Sequence, residues 1–194
     1  MNPLNPGPLM AVGAISLLAT AALLLGARVP ALRRMVLLLD RATTGLAAIL
    51  ACIALAVAFG AGLWQVIARF ATETPSIWSE ALVRTALIWM TYLGLAVALR
   101  AGALVAIDAA HRFSTGAVRR GLEAAALACC LSFLGVLFWF GWSMAGRVQF
   151  QEMAGLEVSM SWGYAALPVG AAFAVIGALA QFLDRHEAVP KEVA

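Results

Sequence analysis

Charge is what this 194-residue sequence has least of. Asp, Glu, Lys and Arg make up 12% of it against 63% hydrophobic residues, about half the charged share of an ordinary soluble chain, which is ~25%. So little polar surface cannot cover a folded chain in water, which excludes a soluble globular protein and leaves an integral membrane protein. Histidine is nearly absent: His111 and His186 are the two present, and neither falls inside a long apolar stretch. A haem-bearing anchor needs axial ligands within its spans, commonly histidine, so the sequence argues against that class. The cysteines are Cys52, Cys129 and Cys130. With no C-x-x-C pair, thiol-redox chemistry lacks its usual spacing, and small, soft packing residues are the plainer reading. Metal clusters, Ser/His/Asp sets and phosphate-binding glycine loops are not apparent. The expectation is a chain that is not an enzyme, with no cofactor and no metal.

What is present is five apolar stretches. The first runs from Leu9 to Ala27, behind the uncharged leader "MNPLNPGP"; the others cover about 43–67, 76–99, 122–146 and 162–183. Each is long enough to cross ~30 Å of hydrocarbon as a helix. The fold expected is therefore all-α: a four-helix transmembrane core with an additional N-terminal span and short interfacial helices. Residues 1–41 form an N-terminal extension, comprising the 9–27 helix and an interfacial arm. Residues 42–187 form the membrane domain, and 188–194 a tail. The arm, "VPALRRMVLLLDR" from Val29 to Arg41, opens on a proline suited to a first helical turn and mixes Leu, Val and Arg as interfacial helices do. "GALVAIDAAHRF", Gly102 to Phe113, reads either as a second such segment or as a plain loop. The first stretch lacks the basic n-region of a secretory signal, which disfavours cleavage, while Met35 offers an alternative start that would leave four spans.

Arginine sets the orientation. Arg28, Arg33, Arg34, Arg41, Arg100, Arg112, Arg119, Arg120, Arg185 and Lys191 fall on one side of the alternating spans, Arg69 and Arg147 on the other, and Arg84 within a span. The richer side is cytoplasmic by the positive-inside rule, which puts the C-terminus inside and explains the pI near 9.1 without nucleic acid. Trp64, Trp78, Trp142 and Trp162 then all fall at the outer face, where an indole ring has both an apolar and a wet side.

Across 43–66, 85–99, 124–146 and 162–183 there is no Asp, Glu, Lys, Arg or His. Intramembrane ionisable residues mark ion paths and substrate sites, so no charged midplane site is expected. Pro168 alone breaks the last stretch, as a tolerated kink. Small residues do recur at helical spacing: Ala48, Cys52, Ala56 and Gly60 in one stretch, and Ala166, Gly170, Ala174 and Ala178 in another. Such stripes let membrane helices approach closely, although alanine-rich composition also produces them by chance.

The junction "TPSIWSEALVRTALIWM", Thr74 to Met90, stands apart because it admits two charges into the start of a span. Thr74 or Ser76 can cap the helix, Pro75 suits its first turn, and Glu80 is favoured near the positive end. Arg84 follows four residues later, on the same face and in the better order. A lone Arg at the bilayer centre costs about 2.5–3.5 kcal/mol, but Arg84 is only about 12 Å along the helix from Ser76 at 1.5 Å per residue. Two readings stand: an interfacial anchor pair fixing helix depth, or a polar contact to another subunit at the outer membrane face that includes Arg69, Trp78, Glu80 and Arg84, with Glu73 beside them.

The segment "RFATETPSIWSEALVRTALIWMTYLGLAVALRAG", Arg69 to Gly102, resembles the small membrane subunit of TRAP (tripartite ATP-independent periplasmic) transporters, the DctQ family. The likeness lies in Arg69-Phe70, Trp78-Ser79-Glu80 with Arg84, then Trp89, Gly94 and Arg100, and farther on in Asp108 and "YAALPVG", Tyr164 to Gly170. It covers about Leu37 to Asp184. Three departures stand out: Ala81 where members often have a second acid, Ala103-Leu104-Val105 where many have a His-Ile pair, and an N-terminal stretch beyond the usual four spans. The resemblance implies a multi-pass subunit of a bacterial inner membrane that binds a large permease subunit as a scaffold. A periplasmic substrate-binding protein would deliver an organic acid, such as a dicarboxylate, for symport driven by an ion gradient. The rivals are a membrane anchor of a redox enzyme and the small subunit of a tripartite tricarboxylate-type carrier.

Overall fold

The computed structural model describes residues 30–71, 76–102 and 116–188. The stretch at 9–27, the connection holding Asp108 and His111, and the end of the tail lie outside the described residues. The elements are α1 (Pro30–Ala71), α2 (Ile77–Arg100), α3 (Gly116–Arg147), a short α4 (Ser161–Tyr164) and α5 (Ala166–Ala188). Among the described residues, four segments are long and apolar enough to cross a membrane: Val36–Ala71, Ile77–Arg100, Ala124–Arg147 and Ser161–Asp184. The all-α membrane architecture expected from composition is therefore the one observed.

One difference from the sequence reading lies in α1. The segment read as an interfacial arm and the span after it form a single helix of 42 residues, about 63 Å long at 1.5 Å per residue. Between Pro30 and Gln65 no proline removes a backbone donor, so the ladder continues through Asp40 and Arg41 without a break. The opposite case is Pro168, which cannot donate to the carbonyl of Tyr164 and crowds it. The chain departs from α-helix at Ala165, between α4 and α5, while the hydrogen bonds from Ala165 N to Ser161 O (2.8 Å) and from Val169 N to Ala165 O (3.2 Å) keep the direction.

α1 and α3 run antiparallel to α2 and α5, so that the end of α2 meets Asp40 near the start of α1 and Asp184 near the end of α5. Over half of the α5 span, 56%, is buried, against 17–22% for the others, because α5 packs on α1, α2 and α3 together. Lipid and protein interior are equally apolar, so hydrophobicity does not drive the helices together; close packing of small residues does. Along α1, the positions Asp40, Thr44, Ala47, Ala51, Ala54, Ala58, Ala61, Gln65 and Ala68 are buried or half-buried, at alternating steps of four and three. That alternation keeps a seam facing one partner. The bulky residues Leu46, Ile49, Ile53 and Phe59 point away, exposed. Ala47, Ala51 and Leu93 form one buried cluster with Phe173 beside it; Ala96, Leu99, Leu134 and Ala174 form another.

Two glycines of the inner seams admit no side chain. A Cβ on Gly170 meets Tyr92 Cβ at 2.5 Å and its carbonyl oxygen at 2.9 Å, and one on Gly177 meets the Ala96 carbonyl oxygen at 3.0 Å. The α2 and α5 backbones are therefore in near contact. We expect Gly170→Ala to separate them and to cost about 1–3 kcal/mol by overpacking. Gly60→Ala, which enters open space, should be neutral or slightly stabilising through helix propensity. Thermal unfolding in detergent followed by circular dichroism distinguishes the two.

Candidate functional site

Three helices bring their polar residues to one point. Arg100, the last residue of α2, donates from Nε to Asp40 Oδ2 of α1 at 2.5 Å and from Nη2 to Asp184 Oδ2 of α5 at 2.6 Å. Its Nη1 donates to Gln181 Oε1 at 3.0 Å. Asp40 is almost fully buried, with 4% of its side chain exposed, while Arg100 keeps 27%. The second Asp40 oxygen accepts from the Thr44 hydroxyl at 2.9 Å, so neither carboxylate oxygen is left without a donor. A fork-shaped cation is suited to this task, since its donors diverge in fixed directions toward two carboxylates and an amide. Sequence reasoning used Arg100 for orientation and missed Asp40 and Asp184 as its partners. The available signal was Asp40 itself: the sole acid in α1, inside an otherwise apolar and basic segment, with Thr44 one turn later.

At the opposite end of the bundle lie the residues singled out for a partner contact. Arg84 donates to Glu80 at 2.9 Å as an i,i+4 pair, with side chains 73% and 62% exposed. Such a pair contributes little to stability; it is free to serve as a depth anchor or as a polar contact. Trp78 is exposed beside it, and Arg69 is exposed in the last turn of α1. Trp64, Trp78, Trp142 and Trp162, all exposed, share this end, and the Trp89 indole donates to the Trp162 carbonyl oxygen at 3.1 Å. The α2 N-terminus is built by serines: Ser76 is the N-cap residue, and its hydroxyl lies 2.6 Å from that of Ser79, which is fully buried.

Beside the ion pair runs a lateral groove of about 530 Å³. One wall is the face of α2 from Ile77 through Ala81, Thr85 and Ile88 to Tyr92; the other is Met153, Ala154, Met160, Gly163, Tyr164 and Leu167. Glu80 and Arg84 also line it, so the groove is apolar with one compensated charge pair on its wall. Of that second wall, Met153, Ala154 and Met160 come from the connection between α3 and α4, Gly163 and Tyr164 from α4, and Leu167 from α5. That connection is tied by Met153 N to Val158 O (2.8 Å) and Met160 N to Gln151 O (2.7 Å), and by the Thr85 hydroxyl on Met153 Sδ (3.2 Å). Gly155, at φ +83°, presses against α2: a Cβ there meets Trp78 N at 2.9 Å, so both conformation and space require glycine.

The two small-residue stripes lie in different surroundings. On α5, Ala166, Gly170, Ala174 and Ala178 are all buried, at the centre of the bundle. On α1, Ala48 is half-buried while Cys52, Ala56 and Gly60 are exposed; the seam within this chain uses the neighbouring alanines instead. The reason is geometric. A step of four residues turns 400°, so a strict four-residue stripe drifts about 40° per step off a fixed face. On α5 that drift does no harm, because neighbours surround the helix. Of the cysteines, Cys130 packs between two core clusters and Cys52 and Cys129 are exposed.

Comparison with known proteins adds two findings. The family described as "Tripartite ATP-independent periplasmic transporters, DctQ component" matches residues 58–187. This stretch holds the Glu80–Arg84 pair, the groove, Arg100 and Asp184, while Asp40 lies upstream of it. The chain is also 30% identical over 121 residues to the sialic acid TRAP transporter small permease protein SiaQ of Vibrio cholerae, an alignment spanning 62% of this chain and 70% of that protein.

Breaking the Arg100 network, a clasp between α1, α2 and α5, leaves the buried Asp40 carboxylate without its counter-charge. Arg100→Gln should destabilise the bundle by about 3 kcal/mol, the low end for a broken buried pair because Arg100 is partly solvated. Asp184→Asn, at the more exposed arm, should do much less. Thermal midpoints of the purified variants in one detergent test this ordering.

Proposed function

This chain belongs to the DctQ component of the tripartite ATP-independent periplasmic transporters, and from that premise we propose how it works as their small permease. The family is a transporter component, not an enzyme, and the chain is a multi-pass protein of the inner membrane. Its role on this reading is that of a scaffold, which binds the large permease subunit laterally and stabilises it during transport. A periplasmic binding protein delivers the substrate, and an ion gradient drives symport. With the family established, the redox-anchor and tricarboxylate-carrier readings are set aside.

The observation that carries the scaffold reading is where the bundle spends its polar groups. The ionic network of Arg100 joins three helices of this chain to one another at their ends, and α5 is enclosed by its neighbours. The outer faces of α1 and α3 stay apolar and bare, with Ile53, Phe59, Phe133 and Phe140 exposed. A rigid helical unit with apolar flanks is suited to lie against another membrane protein. Arg69, Trp78, Glu80 and Arg84, with the groove beside them, form the contact we propose at the periplasmic end; Ala48, Cys52, Ala56 and Gly60 form a second packing face. The C-terminus is cytoplasmic on this reading, because the basic residues gather at the Arg100 end. Sialic acid, in the name of the Vibrio relative, is an organic acid, so we propose that broad class rather than dicarboxylates in particular.

Purification of the tagged chain from its native membrane in mild detergent should retain a large multi-span permease in stoichiometric amount. Recovery without it contradicts the scaffold reading. The double variant Glu80→Ala/Arg84→Ala should lower both permease recovery and substrate uptake several-fold. If both stay at the wild-type level, the pair is an anchor and the periplasmic contact lies elsewhere.

A further inference from the structure

The clasp has a consequence for the part of α1 that extends beyond it. Arg100 ends the 24-residue helix α2, which at about 36 Å is just long enough to cross the hydrocarbon core. The level of Arg100, Asp184 and Asp40 is therefore the membrane boundary at that end, and α1 continues past it by the ten residues from Pro30 to Leu39. On the outward face around that level, Arg34 and Leu38 beyond it and Arg41 just inside it are all exposed, spaced by four and three residues and so aligned along one ridge. The guanidinium-bearing positions are about 10 Å apart along the axis, with Leu38 and its neighbour Leu39 exposed between them (65% and 49%). The one acid of the segment, Asp40, is turned inward and held by Arg100 and Thr44, so the ridge displays positive charge with no acid of its own helix on it.

Neither bulk phase suits this ridge. Water would meet bare leucines, and hydrocarbon would strip two arginines. The interfacial layer between them accommodates both: leucine packs among the glycerol groups and the first acyl carbons, and the long arginine side chains reach the phosphates from either side of it. We infer that Arg34, Leu38 and Arg41 form a binding ridge for the headgroup phosphates of anionic phospholipids in the cytoplasmic leaflet, held at that depth by the Asp40–Arg100 contact. Arginine suits this occupant because its planar fork binds phosphate oxygens in pairs, and a negative leaflet attracts each basic residue near its surface. The inference is independent of the scaffold role and rests only on the proposed orientation, which puts this end of the bundle at the cytoplasmic leaflet.

Native mass spectrometry of the full chain in detergent, titrated with phosphatidylglycerol or with phosphatidylcholine, tests it by the affinity for the first lipid bound. Wild type should prefer phosphatidylglycerol by about five-fold or more, the factor that one surface arginine supplies. Arg34→Gln/Arg41→Gln should bring the ratio near one, each single variant should lower it partway, and Arg34→Lys/Arg41→Lys should keep most of it. Arg147→Gln, exposed at the other end of the bundle, should leave the ratio unchanged. The thermal midpoint of the glutamine variants should match wild type, because both side chains are exposed. A wild-type ratio near one overturns the inference and leaves an acidic protein surface as the better occupant. A preference that survives Arg34→Gln/Arg41→Gln, or that Arg147→Gln abolishes equally, overturns it as well.

Discussion

A guanidinium at the end of α2 holds three helices in register. Arg100 reaches Asp40 on α1 and Asp184 and Gln181 on α5, and hydrophobicity alone would fix no depth for those helices, because apolar surface is no worse against lipid than against protein. Alanine seams allow helices to touch, but they grip weakly along the axis. A charge network at the membrane boundary supplies what they lack, a fixed depth for each helix relative to the others. With that depth set, Ala47 and Ala51 lie opposite Leu93 and Gly170 opposite Tyr92.

Around the fixed point α1 is arranged with small residues inside and large ones outside, against a centre filled by Leu93, Leu99 and Leu134. The inner positions of α1 are alanines, and its outer positions are Leu, Ile and Phe. This inverts the soluble rule that large apolar residues fill the core, and it follows from the solvent: a bulky side chain loses nothing by facing lipid, while a small one on the inside lets backbones meet. α5 carries the arrangement furthest, with neighbours on three sides and glycine where α2 comes closest.

The periplasmic end of the proposed topology is built differently. There the ion pair is local to one helix and solvated, the tryptophans are exposed, and the connection from α3 folds over the start of α2 through Gly155. The charges at the two ends thus do different work. Those around Arg100 are used up in holding this chain together; those of Glu80 and Arg84 compensate each other without joining any two helices, and an apolar groove runs beside them. A subunit that closes its polar contacts at one end and leaves groove and apolar flanks bare at the other is consistent with a role defined by what it lies against.

Much of this was legible in the sequence. Apolar length and the scarcity of charge determine that the helices cross a membrane, since nothing else satisfies buried backbone in lipid. Arginine and tryptophan positions gave the proposed orientation, and the spacing of Glu80 and Arg84 gave their pairing, a contact within one turn of one helix. The family, too, was legible in the residues from Arg69 to Gly102. What the sequence reading missed is which face of α1 turns inward: the larger apolar residues recur along one face, but in lipid that face turns outward and the alanine, threonine and glutamine face packs inward, so the strict four-residue stripe at Ala48 did not mark the seam within this chain. Nor did it reveal that Asp40, Arg100 and Asp184 meet, or that the connection after α3 closes a groove over α2. Those pairings join residues 60 and 84 positions apart, and local spacing cannot specify them. Only the packing of α1, α2 and α5 side by side brings their ends to one level, and that level decides which charges join helices of this chain and which stay within one helix.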